Sequence, residues 1–153
     1  VVERNFLMGS LRSSGIVIGG GPVVVRNNVA VASHEGGIGL EDYGRRGLLR
    51  GIVVAHNTVF GNRAGGIIAP SSNGLRDATV VNNAAHGRAG TPALPAPQPG
   101  LRLIGNIDCS WVPCFADPLS NNFALVAGER EPDATWIAPS GAVSMDQRPS
   151  GRL

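Results

Sequence analysis

Short runs of β-branched residues recur along the chain, each alternating along its length and each closing on asparagine. They are Val2-Glu3-Arg4-Asn5, Val23-Val24-Val25-Arg26-Asn27-Asn28, Ile52-Val53-Val54-Ala55-His56-Asn57, Ala78-Thr79-Val80-Val81-Asn82-Asn83 and Leu101-Arg102-Leu103-Ile104-Gly105-Asn106. Alternation with a period of two, carried by valine and isoleucine, predicts strands rather than helices. The closing asparagines stand at 5, 28, 57, 83 and 106, so the repeat runs 23, 29, 26 and 23 residues. About ten residues after three of them comes a second apolar run: Gly15-Ile16-Val17-Ile18, Gly37-Ile38-Gly39-Leu40 and Gly66-Ile67-Ile68.

A unit of this length with two or three short strands has too little chain for a core of its own. It buries its apolar edge only by stacking on neighbouring copies. The pattern therefore predicts an all-β, right-handed parallel β-helix of about five coils, with strands of successive coils about 4.8 Å apart. Within a strand, Ile52 and Val54 are expected to point inward and Val53 and Ala55 outward. Each coil must turn sharply, and a turn leaves backbone groups facing the interior. An asparagine carries both a donor and an acceptor and tolerates left-handed backbone, so Asn5, Asn28, Asn57, Asn83 and Asn106 are expected to form a structural ladder.

These residues resemble the right-handed parallel β-helix repeat family of the pectate-lyase-like superfamily. The closest single coil is Gly51-Ile52-Val53-Val54-Ala55-His56-Asn57-Thr58-Val59-Phe60-Gly61-Asn62. Phe115-Ala116-Asp117-Pro118, followed by Asn122-Phe123-Ala124-Leu125 and Gly128, is similar to the family's usual last coil. The resemblance covers residues 1–128; residues 129–153 lose the periodicity and are expected to form an irregular tail, with Trp136 as an apolar plug. The first coil shows no cap, and the chain opens at Val1 already inside a repeat. Both features fit a C-terminal portion whose open end meets upstream coils or a partner. The resemblance implies an exported bacterial protein, secreted, periplasmic or on the cell surface, that acts on polysaccharide as a lyase or epimerase of acidic glycans. A noncatalytic carbohydrate-binding or structural surface module is the alternative.

Composition narrows this picture modestly. The net charge of +2 gives no electrostatic case for nucleic acid. No apolar run reaches transmembrane length. Every basic residue is arginine, which removes lysine as a catalytic base. Insertions break the repeat at 41–47, at 70–77 and at the proline-rich 91–100, which is expected to project as an extended loop.

The candidate chemistry lies around the first insertion. Lyase or epimerase action on a uronate needs a cation to neutralise the carboxylate and a base to take the adjacent proton. Glu41 and Asp42 offer hard oxygen ligands for Ca²⁺, Arg45 and Arg46 offer a bidentate carboxylate clamp, and Tyr43 or His34 offers the base. A solvated loop with a local ion pair is the structural alternative. Arg12, His34, Arg63 and Arg88 each follow a ladder asparagine by five to seven residues. Stacking would align them as a basic row suited to an acidic glycan, or simply as turn residues facing water. Cys109 and Cys114 enclose four residues, a spacing that permits a disulfide in an oxidising compartment; two buried thiols are the alternative.

Overall fold

The computed structural model describes residues 1–41, 49–69, 74–111 and 113–126. These form an all-β parallel β-helix. Its first sheet stacks β1 (Val2–Glu3), β4 (Val23–Arg26), β7 (Leu49–Ala55), β10 (Leu75–Val81) and β12 (Leu101–Ile104). The second stacks β2 (Phe6–Met8), β5 (Val29–Val31), β8 (Thr58–Asn62), β11 (Ala84–Gly87) and β13 (Ile107–Asp108). The third holds only β3 (Ile16–Ile18), β6 (Gly36–Leu40) and β9 (Gly65–Ile68). Among the described residues two faces carry five rungs, one for each expected coil, and the third carries three, so the solenoid makes about four full turns.

Register follows the repeat. Val2, Val25, Val54, Val80 and Leu103 lie opposite one another through the first sheet. Leu7, Ala30, Val59, Ala85 and Asp108 do so through the second. The interior is filled by Val25, Ile52, Val54 and Val80 from the first sheet, Ala30, Val59 and Ala85 from the second, and Ile38, Leu40 and Ile67 from the third. Gly37 lets the third wall close, because a Cβ there would lie 2.6 Å from Asn62 Nδ2 and 2.7 Å from Val59 Cγ1. Ala55, expected to face outward, is instead fully buried, as is Val81 beside it in register. Neither residue belongs to the interior cluster, so their burial does not place them on the inner face.

At the corner after the first sheet the ladder forms. Asn5 Nδ2 donates to Asn28 Oδ1 at 2.9 Å, Asn28 to Asn57 at 3.0 Å, Asn57 to Asn83 at 2.9 Å and Asn83 to Asn106 at 2.9 Å. The backbone N–H of each of the first four asparagines donates to the same oxygen as its side chain. In the interior rungs Nδ2 also donates to a carbonyl of its own coil and to one of the preceding coil; for Asn57 these belong to Ala55 and Val25, both at 3.0 Å. Asn28, Asn57 and Asn83 are buried. Left-handed backbone falls not on the ladder asparagines but one residue earlier, at Arg4, Asn27, His56, Asn82 and Gly105, with φ between 52° and 57°. That residue makes the bend, which frees the next one to aim its amide inward. His56 is therefore a turn residue.

A second, mixed column occupies the next corner. The Ser33 N–H donates to Asn62 Oδ1 at 2.9 Å, Asn62 Nδ2 donates to the Ala30 carbonyl at 3.1 Å, and the Gly87 N–H donates to Ser110 Oγ at 3.0 Å.

Two segments depart from expectation. The proline-rich insertion does not project: the Pro92 and Ala93 carbonyls accept from the Gly66 and Ile67 N–H groups at 3.1 and 2.8 Å, and Ala93 joins the core. Proline lacks an N–H but keeps its carbonyl, so the segment satisfies the donor edge of β9 without being a strand. Residues 115–125 do not make a last coil either. β14 (Phe115–Asp117) and β15 (Asn122–Leu125) form an antiparallel hairpin around a single 3-10 turn at Pro118–Ser120. Phe115 and Phe123 of that hairpin pack with Phe60, Ala84 and Ile107 against the outside of the second sheet. The proposed plug Trp136 and the tail from 127 lie outside the described residues. No helix among the described residues is long and apolar enough to cross a membrane.

Replacing Asn57 by alanine would strand the Asn28 N–H and take one partner each from Asn28 Nδ2 and the Val25 and Ala55 carbonyls, at a cost of ~2–4 kcal/mol in urea unfolding. Asn5→Ala, at the exposed end of the same ladder, should cost under ~1 kcal/mol by comparison. Equal losses at the two positions would contradict a role set by burial.

Candidate functional site

Of the expected basic row, the fold brings two members together. The backbone N–H groups of His34 and Arg63 donate to the carbonyls of Ser10 and Ser33 at 2.7 and 2.9 Å, so both leave the second corner in step. Their exposed side chains meet there, with Arg63 Nη1 3.5 Å from His34 Nδ1. Arg12 and Arg88 are also exposed, and Gly87 lies opposite Asn62, so Arg88 and Arg63 each follow a paired position of the second sheet. The Arg88 carbonyl closes a turn, accepting from the Thr91 N–H at 2.8 Å and its hydroxyl at 2.9 Å.

The acidic loop is described only at its start. Ser14 Oγ donates to Glu41 Oε1 at 3.1 Å, and the Glu41 N–H donates to the Ile18 carbonyl at 2.9 Å. The glutamate folds back over Gly39, where a Cβ would lie 2.6 Å from the serine hydroxyl. Its carboxylate is thus held by a buried serine at the edge of the third sheet. Asp42, Tyr43, Arg45 and Arg46 lie outside the described residues. Among the described residues no three His, Cys, Asp or Glu side chains converge as a metal site.

A different site emerges where the hairpin leaves the solenoid. Cys109 and Cys114 are joined by a disulfide across Cα atoms 5.4 Å apart, and both are buried in the aromatic cluster. The loop they close carries Trp111, which is 89% exposed. Beside it opens a cavity of about 370 Å³ lined by Phe60, His86, Cys109, Ser110, Trp111, Pro113, Cys114, Phe115 and Pro118. The Phe60 ring is 4.6 Å from the His86 ring and meets Phe115 edge-on at 5.9 Å. Solenoid and hairpin each contribute walls, and the lining side chains carry aromatic faces and one hydroxyl but no arginine or carboxylate.

This site was not anticipated from sequence. Its one local signal is a tryptophan between two cysteines; Phe60 and His86 join it only because coils stack and the hairpin folds back. No family model, curated protein or solved structure matches the chain.

Burial lowers the pKa of His86 below the ordinary 6.5, with its own backbone and the Asp108 carboxylate pulling weakly the other way. Burial also lowers that of His56. Folding thus disfavours the charged form of both histidines, while the unfolded chain takes up protons near 6.5. The stability they contribute is complete above that value and is lost as pH falls below it toward the folded pKa. Thermal melts should therefore show a drop as pH falls through and below about 6.5, and His56→Asn should remove part of it. Asparagine keeps the left-handed turn, as at Asn27 and Asn82. An unchanged pH profile in that variant would contradict the assignment.

Proposed function

We propose that this protein is a noncatalytic glycan-binding β-helix, exported to an oxidising compartment, that holds a sugar residue of a polysaccharide at the cavity beside Trp111. The observation that carries this reading is the exposed indole set on a disulfide-closed loop at the mouth of an aromatic cavity. Large exposed aromatics are rare in a chain with so few of them, and an exposed Trp over a concave apolar wall suits a ligand with one apolar face and a polar rim. A pyranose ring has that form, and Ser110 and His86 offer hydrogen bonds at its edge. The rigid stack beneath the loop keeps the walls in place without a ligand, which lowers the ordering cost of binding. A disulfide in a small, loop-bearing domain is in keeping with export.

A second reading, lyase or epimerase action on an acidic glycan, draws on the contact between Arg63 and His34. A guanidinium beside an imidazole could neutralise a uronate and accept its proton.

A glycan array followed by calorimetry separates the two. Trp111→Ala should weaken binding at least ~10-fold, equivalent to ~1.4 kcal/mol, with Arg63→Ala neutral. Loss on Arg63→Ala with unsaturated uronate released from the polymer would favour the lyase. An array blank at millimolar ligand would remove the binding reading.

A further inference from the structure

Among the described residues lining the cavity beside Trp111, only His86 can take up a proton, because Cys109 and Cys114 are bonded to each other. The His86 ring is partly buried and lies 4.6 Å from that of Phe60. Its Nδ1 is buried and makes no hydrogen bond. A neutral imidazole can leave that nitrogen bare and hold its one proton on Nε2, whereas the cation carries N–H on both. Protonation would therefore place a donor where no acceptor is aligned, in a wall built of aromatic rings and a disulfide. Burial already outweighs the pull of its own backbone and of Asp108 on that proton.

The charges around His86 do not favour an anion in the cavity. From β13, Asp108 stands opposite Ala85, and its Oδ1 accepts from the Ser110 N–H at 2.9 Å. From the hairpin, Asp117 turns its carboxylate to the Ser120 N–H at 3.3 Å. β8 and β9 pack against β11 and hold no ionisable side chain. Arg63 and Arg88 follow the ends of β8 and β11, are exposed, and do not line the cavity. A carboxylate or sulfate entering there would lose its water with no cation to meet it. An uncharged ring gives up only the hydration of its hydroxyls, which Ser110 and the imidazole can replace. A ligand seated on this wall also covers His86 further, which raises the cost of charging it. Ligand and proton then oppose one another by linkage.

We infer, resting on the glycan reading above, that the cavity selects an uncharged sugar over an acidic one and that His86 releases that sugar when it becomes charged. The two ligand classes give opposite signs. Affinity for an uncharged sugar is full while His86 is neutral and falls as pH drops through its titration, toward the lower value of the complex. An acidic sugar would stabilise the cation, so its affinity would rise over the same interval.

Calorimetric titrations across pH test this, with neutral oligosaccharides of glucose, xylose and mannose set against oligogalacturonate and oligoalginate. A neutral probe should bind at pH ~8 and about tenfold more weakly at pH ~5, and the acidic probes should bind more weakly than it at pH ~8. His86→Gln should hold the neutral affinity level across that range. His56→Asn should keep the pH dependence of the parent, which separates the cavity from acid loosening of the fold. If His86→Gln fails to fold by circular dichroism, the His86 imidazole of the parent is followed by NMR. It should titrate below the ordinary 6.5 in the free protein and lower still with the neutral probe bound. Neutral binding that ignores pH, a preference for uronates at pH ~8, or a His86 midpoint raised by the neutral probe would each overturn the inference. Binding by none of the probes, with the free His86 midpoint still below 6.5, would instead overturn the glycan reading on which it rests.

Discussion

An amide buried away from water costs free energy unless each of its polar atoms finds a partner. In this protein the partners of each corner asparagine lie in the coils before and after it. Asn57 satisfies carbonyls of its own coil and the preceding one, receives two bonds from Asn28 and gives two to Asn83. No single coil can meet that demand alone, so the coils must stack in register or not at all. A slip of one residue would point asparagines outward and valines into the turn. The apolar columns supply most of the burial, but valine, isoleucine and alanine are interchangeable in a way that the amide pairing is not. The ladder therefore sets the register that the core then fills.

Much of this was legible in the chain because the constraint acts on one residue type at one spacing. The asparagines at 5, 28, 57, 83 and 106 announce the first corner, and the alternating valines announce the first sheet. The second corner is harder to read because its residues differ from coil to coil. Asn62 works there with its amide and Ser110 with a hydroxyl, while Ser33 and Gly87 contribute their backbone N–H groups. Simple alternation does not reveal that Ala55, outside the interior cluster, is nonetheless fully covered. The proline-rich segment misled because proline's missing N–H suggests exclusion from a stack, whereas β9 needed only acceptors.

The aromatic cavity was illegible for a different reason. Phe60, His86 and Phe115 come from two coils and a hairpin, and nothing local in the sequence links them. The hairpin has no periodicity to betray its place, since it packs by its phenylalanines on the flank of the second sheet. Once there, it turns a flat wall into a concave one and lifts Trp111 to its rim. The repeat thus provides a rigid backing, and the elements outside the repeat provide the shape. That division is usual where one architecture serves many ligands. The basic pair at His34 and Arg63 shows the same logic on a smaller scale, with stacking aligning two side chains that lie 29 residues apart.

Amide hydrogen exchange under native conditions tests the governing role of the ladder most directly. The account predicts that the backbone N–H groups of Asn28, Asn57 and Asn83, with their side-chain amides, exchange only through global unfolding, whereas Asn5 and Asn106 exchange through local fraying at the ends. Exchange at Asn57 as fast as at the exposed turn between Arg88 and Thr91, with the core valines still protected, would contradict it.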